Sequence, residues 1–328
     1  MAKEITNETE NNGRYDERNK VNDLTGKEWL LSTKSFFLST KCADDKDAFA
    51  HPAPFLIKDV ERMIGTFTKT GMTVFDPFLG SGTTAIASFN LGRKCVGIDL
   101  SEEYRTLAFE RFAKKGMIED EDFRYILGDS LIETSNIGEV DYIITSPPYH
   151  NILRNNSKGL REDKSEKGYR SGSRIGVDYY SDKENDLGNQ ETYEDFLQLF
   201  EQIMSKAYNQ LKNKKYCSVI ISDFTVDKEE ICVQADIVRA MKNIGFKFVG
   251  TIIMLQDNKP LYPFGYPYKF KINHMHQNVN NIIFLFSFCV FFQNFLCWHL
   301  LTSSRKLFFF FRNHQANYKC QEVGFNTL

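Results

Sequence analysis

Two short words concentrate the residues able to do chemistry: Asp76-Pro-Phe-Leu-Gly-Ser-Gly-Thr-Thr84 and Thr145-Ser-Pro-Pro-Tyr149. Each ends an apolar, strand-like run, residues 72–75 before the first and 140–144 before the second. The first word can hold a nucleotide-like ligand and the second a planar amine. In the first, Gly80 and Gly82 remove two side chains where the backbone must turn sharply and admit a ligand. Thr83 and Thr84 then open a helix whose N-terminus carries free N–H groups.

The spacing Gly80-x-Gly82-x-x-Ala85 also satisfies the dinucleotide-binding fingerprint. Asp99 follows Gly80 by 19 residues, at the end of the next apolar run, where an acid can accept both hydroxyls of a ribose. An ordinary strand–helix turn would use the glycines in the same way, and Asp99 could be a surface acid. The local physics specifies an adenosine-type cofactor and leaves NAD and S-adenosylmethionine both open.

The second word suits an amine whose lone pair is delocalised into a ring, as on cytosine or adenine. Such a nitrogen is a poor nucleophile until it is pyramidalised and its N–H groups find acceptors. Ser146 offers a hydroxyl and Pro147 a carbonyl. The paired prolines, Pro147 and Pro148, fix φ and lack N–H, so that carbonyl sits in a rigid turn. Tyr149 offers a face on which a base can stack. The chemistry would be positioning and electrostatics without a covalent intermediate. A plain Pro-Pro turn closing a strand is the alternative.

Elements that could carry these words recur along the chain. Apolar runs at 72–76, 94–99, 123–127, 141–145, 216–222, 246–254 and 279–286 read as strands. Between them, 83–91, 102–114, 192–211 and 233–244 show helical spacing, and Gly92 and Gly245 stand where helices commonly stop. This alternation predicts an α/β fold, a mostly parallel sheet with helices on both faces.

The pair of words resembles motifs I and IV of the DNA amino-methyltransferases that modify adenine N6 or cytosine N4, with the cofactor motif leading. The resemblance covers roughly residues 25–285 and implies the class I S-adenosylmethionine-dependent methyltransferase (Rossmann-like) fold. That fold has seven strands, with the first and fourth side by side. Both words would then emerge at the crevice where open α/β sheets bind ligands. It implies S-adenosylmethionine as cofactor, held by the word containing Asp76, Phe78, Gly80, Ser81, Gly82, Thr83 and Thr84. Asp99 matches the ribose acid and Asp129, in Gly128-Asp-Ser130, the acid near the adenine amine, though a cap or turn role for Asp129 stays open. His51-Pro52-Ala-Pro54 resembles the segment that closes over the methionine part.

Within the family, Ser at the head of the Pro-Pro-Tyr word leans toward cytosine N4 and Asp or Asn toward adenine N6. The resemblance therefore implies a site-specific DNA methyltransferase, cytosine N4 first and adenine N6 second, with a cognate restriction endonuclease as a possible partner. Methylation at cytosine carbon 5 is disfavoured, because none of the seven cysteines follows a proline. Rival readings are an RNA or protein-amide methyltransferase, a catalytically dead relic, and an NAD-linked oxidoreductase, for which nothing identifies a hydride-transfer acid or base.

The double-stranded DNA partner would meet the segment 154–174, which carries seven basic residues against three acidic ones. Arg154, Lys158, Arg161, Arg170 and Arg174 are the candidate phosphate contacts. Tyr266 and Tyr268, in an aromatic and proline-rich stretch, are expected at the rim of the pocket. Asp223 is a further possible pocket acid. His274 and His276 alternate without a third ligand, so no metal is expected.

A net charge of −2 over 328 residues argues against nonspecific coating of nucleic acid while allowing a local basic groove. Seven scattered cysteines without a C-x-x-C pair suit reduced thiols, and the polar N-terminus lacks an apolar core, so a cytoplasmic protein is expected. Residues 1–24 read as a mobile tail and 25–287 as the methyltransferase domain, with a polar insertion at 151–190 and a possible recognition loop at 255–277. Residues 288–328 form an atypical apolar tail. The run 282–301 is long enough for a membrane span, but Ser287, Gln293, Asn294 and His299 interrupt it. Its β-branched and aromatic first half reads as a buried strand instead.

Overall fold

The computed structural model describes residues 13–51, 55–150, 181, 183–226, 229–256, 267–268 and 279–287. The elements in chain order are α1 (Gly26–Ser32), β1 (Phe36–Leu38), α2 (Ile57–Phe67), β2 (Thr73–Asp76), α3 (Thr83–Asn90), β3 (Lys94–Asp99), α4 (Glu102–Lys115), β4 (Phe123–Leu127), α5 (Ser130–Glu133), β5 (Val140–Thr145), α6 (Tyr193–Gln210), β6 (Leu211–Ile221), β7 (Phe224–Val226), β8 (Glu229–Ile231), α7 (Val233–Ile244), β9 (Lys247–Leu255) and β10 (Val279–Phe286).

Among the described residues, eight strands form one sheet in the order β1-β9-β10-β6-β5-β2-β3-β4, and β7 with β8 makes a separate hairpin. The strands pair in parallel except β10, which runs antiparallel between β6 and β9. This is the class I methyltransferase arrangement, with the first and fourth strands of the core, β2 and β5, in the centre. All seven expected strands form. The sheet has eight rather than seven because β1 adds to the edge of β9, pairing Phe36 with Ile253 and Leu38 with Leu255. Three residues are too few to show a period, which is why this strand escapes a reading by apolar pattern.

Alternation of side chains splits the core between the two faces of the sheet. Val74, Tyr142 and Ile144 point toward α2, α3 and α4, packing with Met63, Ile64, Ile86 and Phe112. Phe75, Ile143 and Val219 point the other way, onto Phe196, Phe200 and Met204 of α6 and Ile237 and Met241 of α7. Every residue of β5 is buried, as a central parallel strand covered on both faces requires.

Local signals place the helices. Ser101 caps α4 by accepting Tyr104 N–H, with Glu102 and Glu103 in its first turn and Lys114 and Lys115 in its last, matching the helix dipole. Thr192 caps α6 in the same way. Gly245 ends α7 at φ +119°.

Two residues of the expected tail 1–24, Asn22 and Asp23, pack against the fold. Asn22 is wholly buried and its amide donates to the Thr66 carbonyl at 2.6 Å. Asp23 pairs with the buried Arg93 at 3.0 Å. Polar residues there satisfy buried backbone and charge, so low hydrophobicity did not mean an unpacked chain. Among the described residues no helix is long and apolar enough to cross a membrane, and 282–286 lies in the buried strand β10. The tail 288–328, most of the polar insertion and most of 255–277 lie outside the described residues.

Candidate active site

Because β2 and β5 are parallel neighbours, paired Val74 to Tyr142 and Phe75 to Ile143, the turns that follow them leave the same edge of the sheet side by side. β3 flanks β2, and its last residue, Asp99, reaches back to the first turn: its Oδ2 accepts Gly80 N–H at 2.7 Å and its Oδ1 accepts Ser101 N–H at 2.9 Å. Burial pushes the Asp99 carboxyl up to about 7, against the two amides that favour its charged form, and the nearby Asp186 and Asp76 add to the rise.

An open cavity lies at this edge. Pro77, Phe78 and Gly80 line it from the first turn, and Ser146, Pro147, Pro148 and Tyr149 from the second. Asp99, Leu100, Ser101 and Tyr104 come from the end of β3 and the start of α4, and Asp129 and Ser130 follow β4. His51 closes another side, its ring 4.3 Å from that of Tyr104.

The rest of the glycine word faces away from the cavity. Gly82, at φ +80°, is the N-cap of α3, and a Cβ built there would lie 2.4 Å from Phe112 Cζ. Its bareness serves packing against α4 rather than the approach of a ligand. Gly80, at φ +53°, does line the cavity, and a Cβ there would meet His51 Nε2 at 3.2 Å. Ser81 and Thr83 turn down to Arg111, whose Nη1 donates to both hydroxyls at 3.1 Å. Asp76 is buried, and its carboxylate accepts Thr84 Oγ1–H at 2.6 Å, Thr145 Oγ1–H at 2.7 Å and Phe78 N–H at 3.0 Å. Asp76, Ser81, Gly82, Thr83 and Thr84 thus hold the loop in shape, while Phe78 and Gly80 present the surface a ligand would meet.

Asp129 caps a helix and also lines the cavity. Its Oδ1 caps α5 through Leu131 N–H at 2.7 Å, and its Oδ2, on the cavity wall, accepts the side-chain amide of Asn185 at 2.7 Å. In the second turn Ser146 and Tyr149 are half-buried. The Tyr149 hydroxyl lies 3.1 Å from Ser222 Oγ, and its ring meets Phe224 edge-on at 5.8 Å, which fixes the plane of the ring. Asp223 instead accepts Gln234 N–H at 3.3 Å near the start of α7 and does not line the cavity.

Ser181, Asn185, Asp186 and Leu187 supply a wall that sequence reasoning assigned to a polar insertion as a whole. Asp186 is buried and accepts Gly188 N–H at 2.8 Å, and an Asp followed two residues later by Gly was the available signal. Tyr104 could have been read from its place in the first turn after the ribose acid. Pro52, Arg154, Lys158, Arg161, Arg170, Arg174 and Tyr266 lie outside the described residues. Tyr268 is 91% exposed and does not line the cavity. Among the described residues no group of three or more His, Cys, Asp or Glu could hold a metal ion.

Comparison with known proteins narrows the reading. Over 67 residues the chain is 48% identical to the orphan methyltransferase M.BamHII of Bacillus amyloliquefaciens, covering 20% of this chain and 25% of that one. It is 50% identical over 48 residues to the Type II methyltransferase M.SmaI of Serratia marcescens, covering 15% and 16%. Over 67 residues it is 42% identical to the Type II methyltransferase M2.DpnII of Streptococcus pneumoniae, covering 20% and 25%. The chain therefore spans a quarter or less of the length of these curated relatives. Among solved structures it is similar to TrmN from Thermus thermophilus, with a TM-score of 0.46, 16% identity and coverage of 74% and 53%. The family model of the N6/N4 DNA methylases matches residues 2–110 and 140–320, nearly the whole chain, and the chain belongs to that family.

Proposed function

We propose that this chain methylates the exocyclic amine of a base extruded from double-stranded DNA, cytosine N4 ahead of adenine N6, with S-adenosylmethionine as donor. One observation carries the reading: Gly80 and Asp99 share a single cavity with Ser146, Pro147 and Tyr149. The donor set suits a nucleoside. Asp99 and Asp129 offer carboxylates on the cavity wall for ribose hydroxyls and an adenine amine, and Phe78 and Tyr104 offer apolar faces. The Asn185 amide already on Asp129 is an N–H2 donor of the kind that acid would take. Bound S-adenosylmethionine supplies an electrophilic methyl group on a positively charged sulfur.

The chain's own residues then prepare the acceptor. Ser146 Oγ and the Pro147 carbonyl accept the N–H groups of the target amine as positive charge develops there, which favours the pyramidal nitrogen. After transfer the nitrogen loses one proton to solvent and returns to neutrality. Tyr149, held edge-on to Phe224, stacks on the base. Extruding that base costs a few kcal/mol, which stacking and hydrogen bonding in the pocket offset. Ser146 at the head of the word favours cytosine N4. The Type II names of the relatives support a place beside a cognate restriction endonuclease.

Expression in a host free of DNA methylation, followed by modification-sensitive long-read sequencing, tests the proposal. We expect N4-methylcytosine in one short motif, absent from Ser146→Ala and Asp99→Ala. Marks that survive Ser146→Ala would refute the assigned chemistry, and N6-methyladenine would move the target to the other base. Protection of the modified DNA against an endonuclease cutting at that motif would establish the partnership.

A further inference from the structure

We propose that Asp76 and Thr145 form a joint that sets the spacing between the cofactor loop and the amine-binding turn, making both of them positioning residues for methyl transfer. The proposal rests on the functional reading above. Its starting point is where the backbone ladder stops. β2 and β5 pair only through Val74 with Tyr142 and Phe75 with Ile143, so the ladder ends before either functional turn begins. Just beyond its end, the Asp76 carboxylate takes over. Oδ1 accepts Thr145 Oγ1–H at 2.7 Å and Phe78 N–H at 3.0 Å, while Oδ2 accepts Thr84 Oγ1–H at 2.6 Å. Thr145 directly precedes Ser146, Phe78 lines the cavity on the cofactor side, and Thr84 lies in the first turn of α3. One carboxylate therefore grips the start of the amine turn, the cofactor turn and the helix behind it.

The joint is dry. Asp76, Thr84 and Thr145 are each at most 1% exposed, and no cation is among the groups that shift the Asp76 carboxyl. Hydrogen bonds to a buried charge are short and directional, and an unmatched one is expensive, so such a joint has one preferred geometry. Burial raises this carboxyl to about 6 while its three donors oppose the rise. Asp76 and Thr145 do not line the cavity, so they act through Ser146 and the loop. Methyl transfer is sensitive to this spacing, because a misplacement near 1 Å can lower a rate about a hundredfold.

The test uses the full chain, S-adenosylmethionine and unmethylated bacterial genomic DNA, and compares wild type with Thr145→Val, Thr145→Ser and Asp76→Asn. Valine keeps the shape and removes the hydroxyl, and serine restores it. We expect Thr145→Val to lower the single-turnover rate at saturating cofactor by about 10- to 100-fold while cofactor Kd changes less than about threefold. Thr145→Ser should stay within about threefold of wild type in both, and Asp76→Asn should resemble Thr145→Val in rate. A second readout does not need turnover: in wild type, added cofactor should slow amide exchange at Ser146 and Tyr149, and in Thr145→Val it should not. Wild-type rates in Thr145→Val, or equal protection of the turn in both proteins, overturn the joint. Rate and affinity falling together in Thr145→Val and recovering in neither respect with serine would also overturn it. Coupled protection without methylation of DNA would sink the substrate reading and leave the joint standing, whereas failure to bind cofactor at all overturns both.

Discussion

Asp99 Oδ2 and the backbone N–H of Gly80 meet at 2.7 Å, so the acid that ends β3 holds the bend of the loop that follows β2. The same carboxylate lines the cavity, where its charged form is the better acceptor for ribose hydroxyls. Loop shape is thereby tied to a titrating group on the cavity wall.

Burial raises the Asp99 carboxyl from 3.8 to about 7, with Asp186 and Asp76 adding to it and the Ser101 and Gly80 amides opposing it. Falling pH through 7 therefore removes the charged acceptor. We expect cofactor affinity to weaken about tenfold between pH 8 and pH 6. Stability moves the other way, because a carboxyl raised on folding favours the protonated fold, a contribution lost as pH rises through 7. Asp99→Asn should bind weakly with a flat pH profile and unfold at higher urea than wild type at pH 8. Calorimetry of cofactor binding at four pH values, with unfolding scans beside it, checks both signs.

Gly82 illustrates a glycine required by its neighbours. Its φ of +80° strains any L side chain, and the added Cβ would sit 2.4 Å from Phe112 Cζ and 3.1 Å from Ala108 Cβ. Gly82→Ala should destabilise the protein by about 2–4 kcal/mol, combining overpacking with backbone strain. Adding Phe112→Leu should recover part of that loss and leave about 1 kcal/mol from the backbone. A urea double-mutant cycle reads the coupling. Additive losses would mean that the loop relaxes away from α4.

Strands and words could be read from sequence because central parallel strands are continuous apolar runs, and both words stand at the ends of such runs. Chain adjacency does not give direction, however. Ser81, Thr83 and Thr84 stand beside Gly80 in sequence, yet they turn to Arg111 and Asp76 while Gly80 faces the cavity. Asp186 and Asn185 were hidden in a polar segment with no period to expose them, and β1 was too short to have one. Nothing in the helical spacing of 102–114 marks Arg111 as a support for the loop.

Asp129 caps α5 and lines the cavity, so mutation can separate the cap from a role in binding. Asp129→Ala removes the cap of α5 and the acceptor of Asn185. The lost cap should cost about 1 kcal/mol. Asp129→Asn keeps a capping oxygen and loses the charge on the wall, so it should hold stability and lose about tenfold in cofactor affinity, as expected of a charge-assisted hydrogen bond. Equal affinities for wild type and both variants would reduce Asp129 to a cap.

Arg111 makes the sharpest separation between folding and binding. It is 3% exposed on α4, and its Nη1 donates to the Ser81 carbonyl and to the hydroxyls of Ser81 and Thr83. Its Nε and Nη2 have no hydrogen-bond partner among the described residues. Burial pushes the guanidinium pKa down, with Asp45 and Asp47 opposing the fall. An incompletely satisfied buried charge contributes little net stability, since its desolvation offsets the bonds it makes. Its three bonds nevertheless converge on the stretch between Gly80 and Thr84 and hold it from beneath. Arg111→Met keeps the apolar stem and removes the fork, so the unfolding free energy should change by no more than about 1 kcal/mol, the desolvation relieved offsetting the bonds lost. Cofactor affinity should fall about tenfold and amide exchange at 81–83 should accelerate, because the loop then orders only on binding. Arg111→Lys should not rescue affinity, since the shorter lysine stem stops its ammonium short of the position of Nη1, which makes all three bonds. A loss of 3 kcal/mol or more with unchanged affinity would instead make Arg111 a strut of the core, and the loop would owe its shape to Asp76 and Asp99 alone.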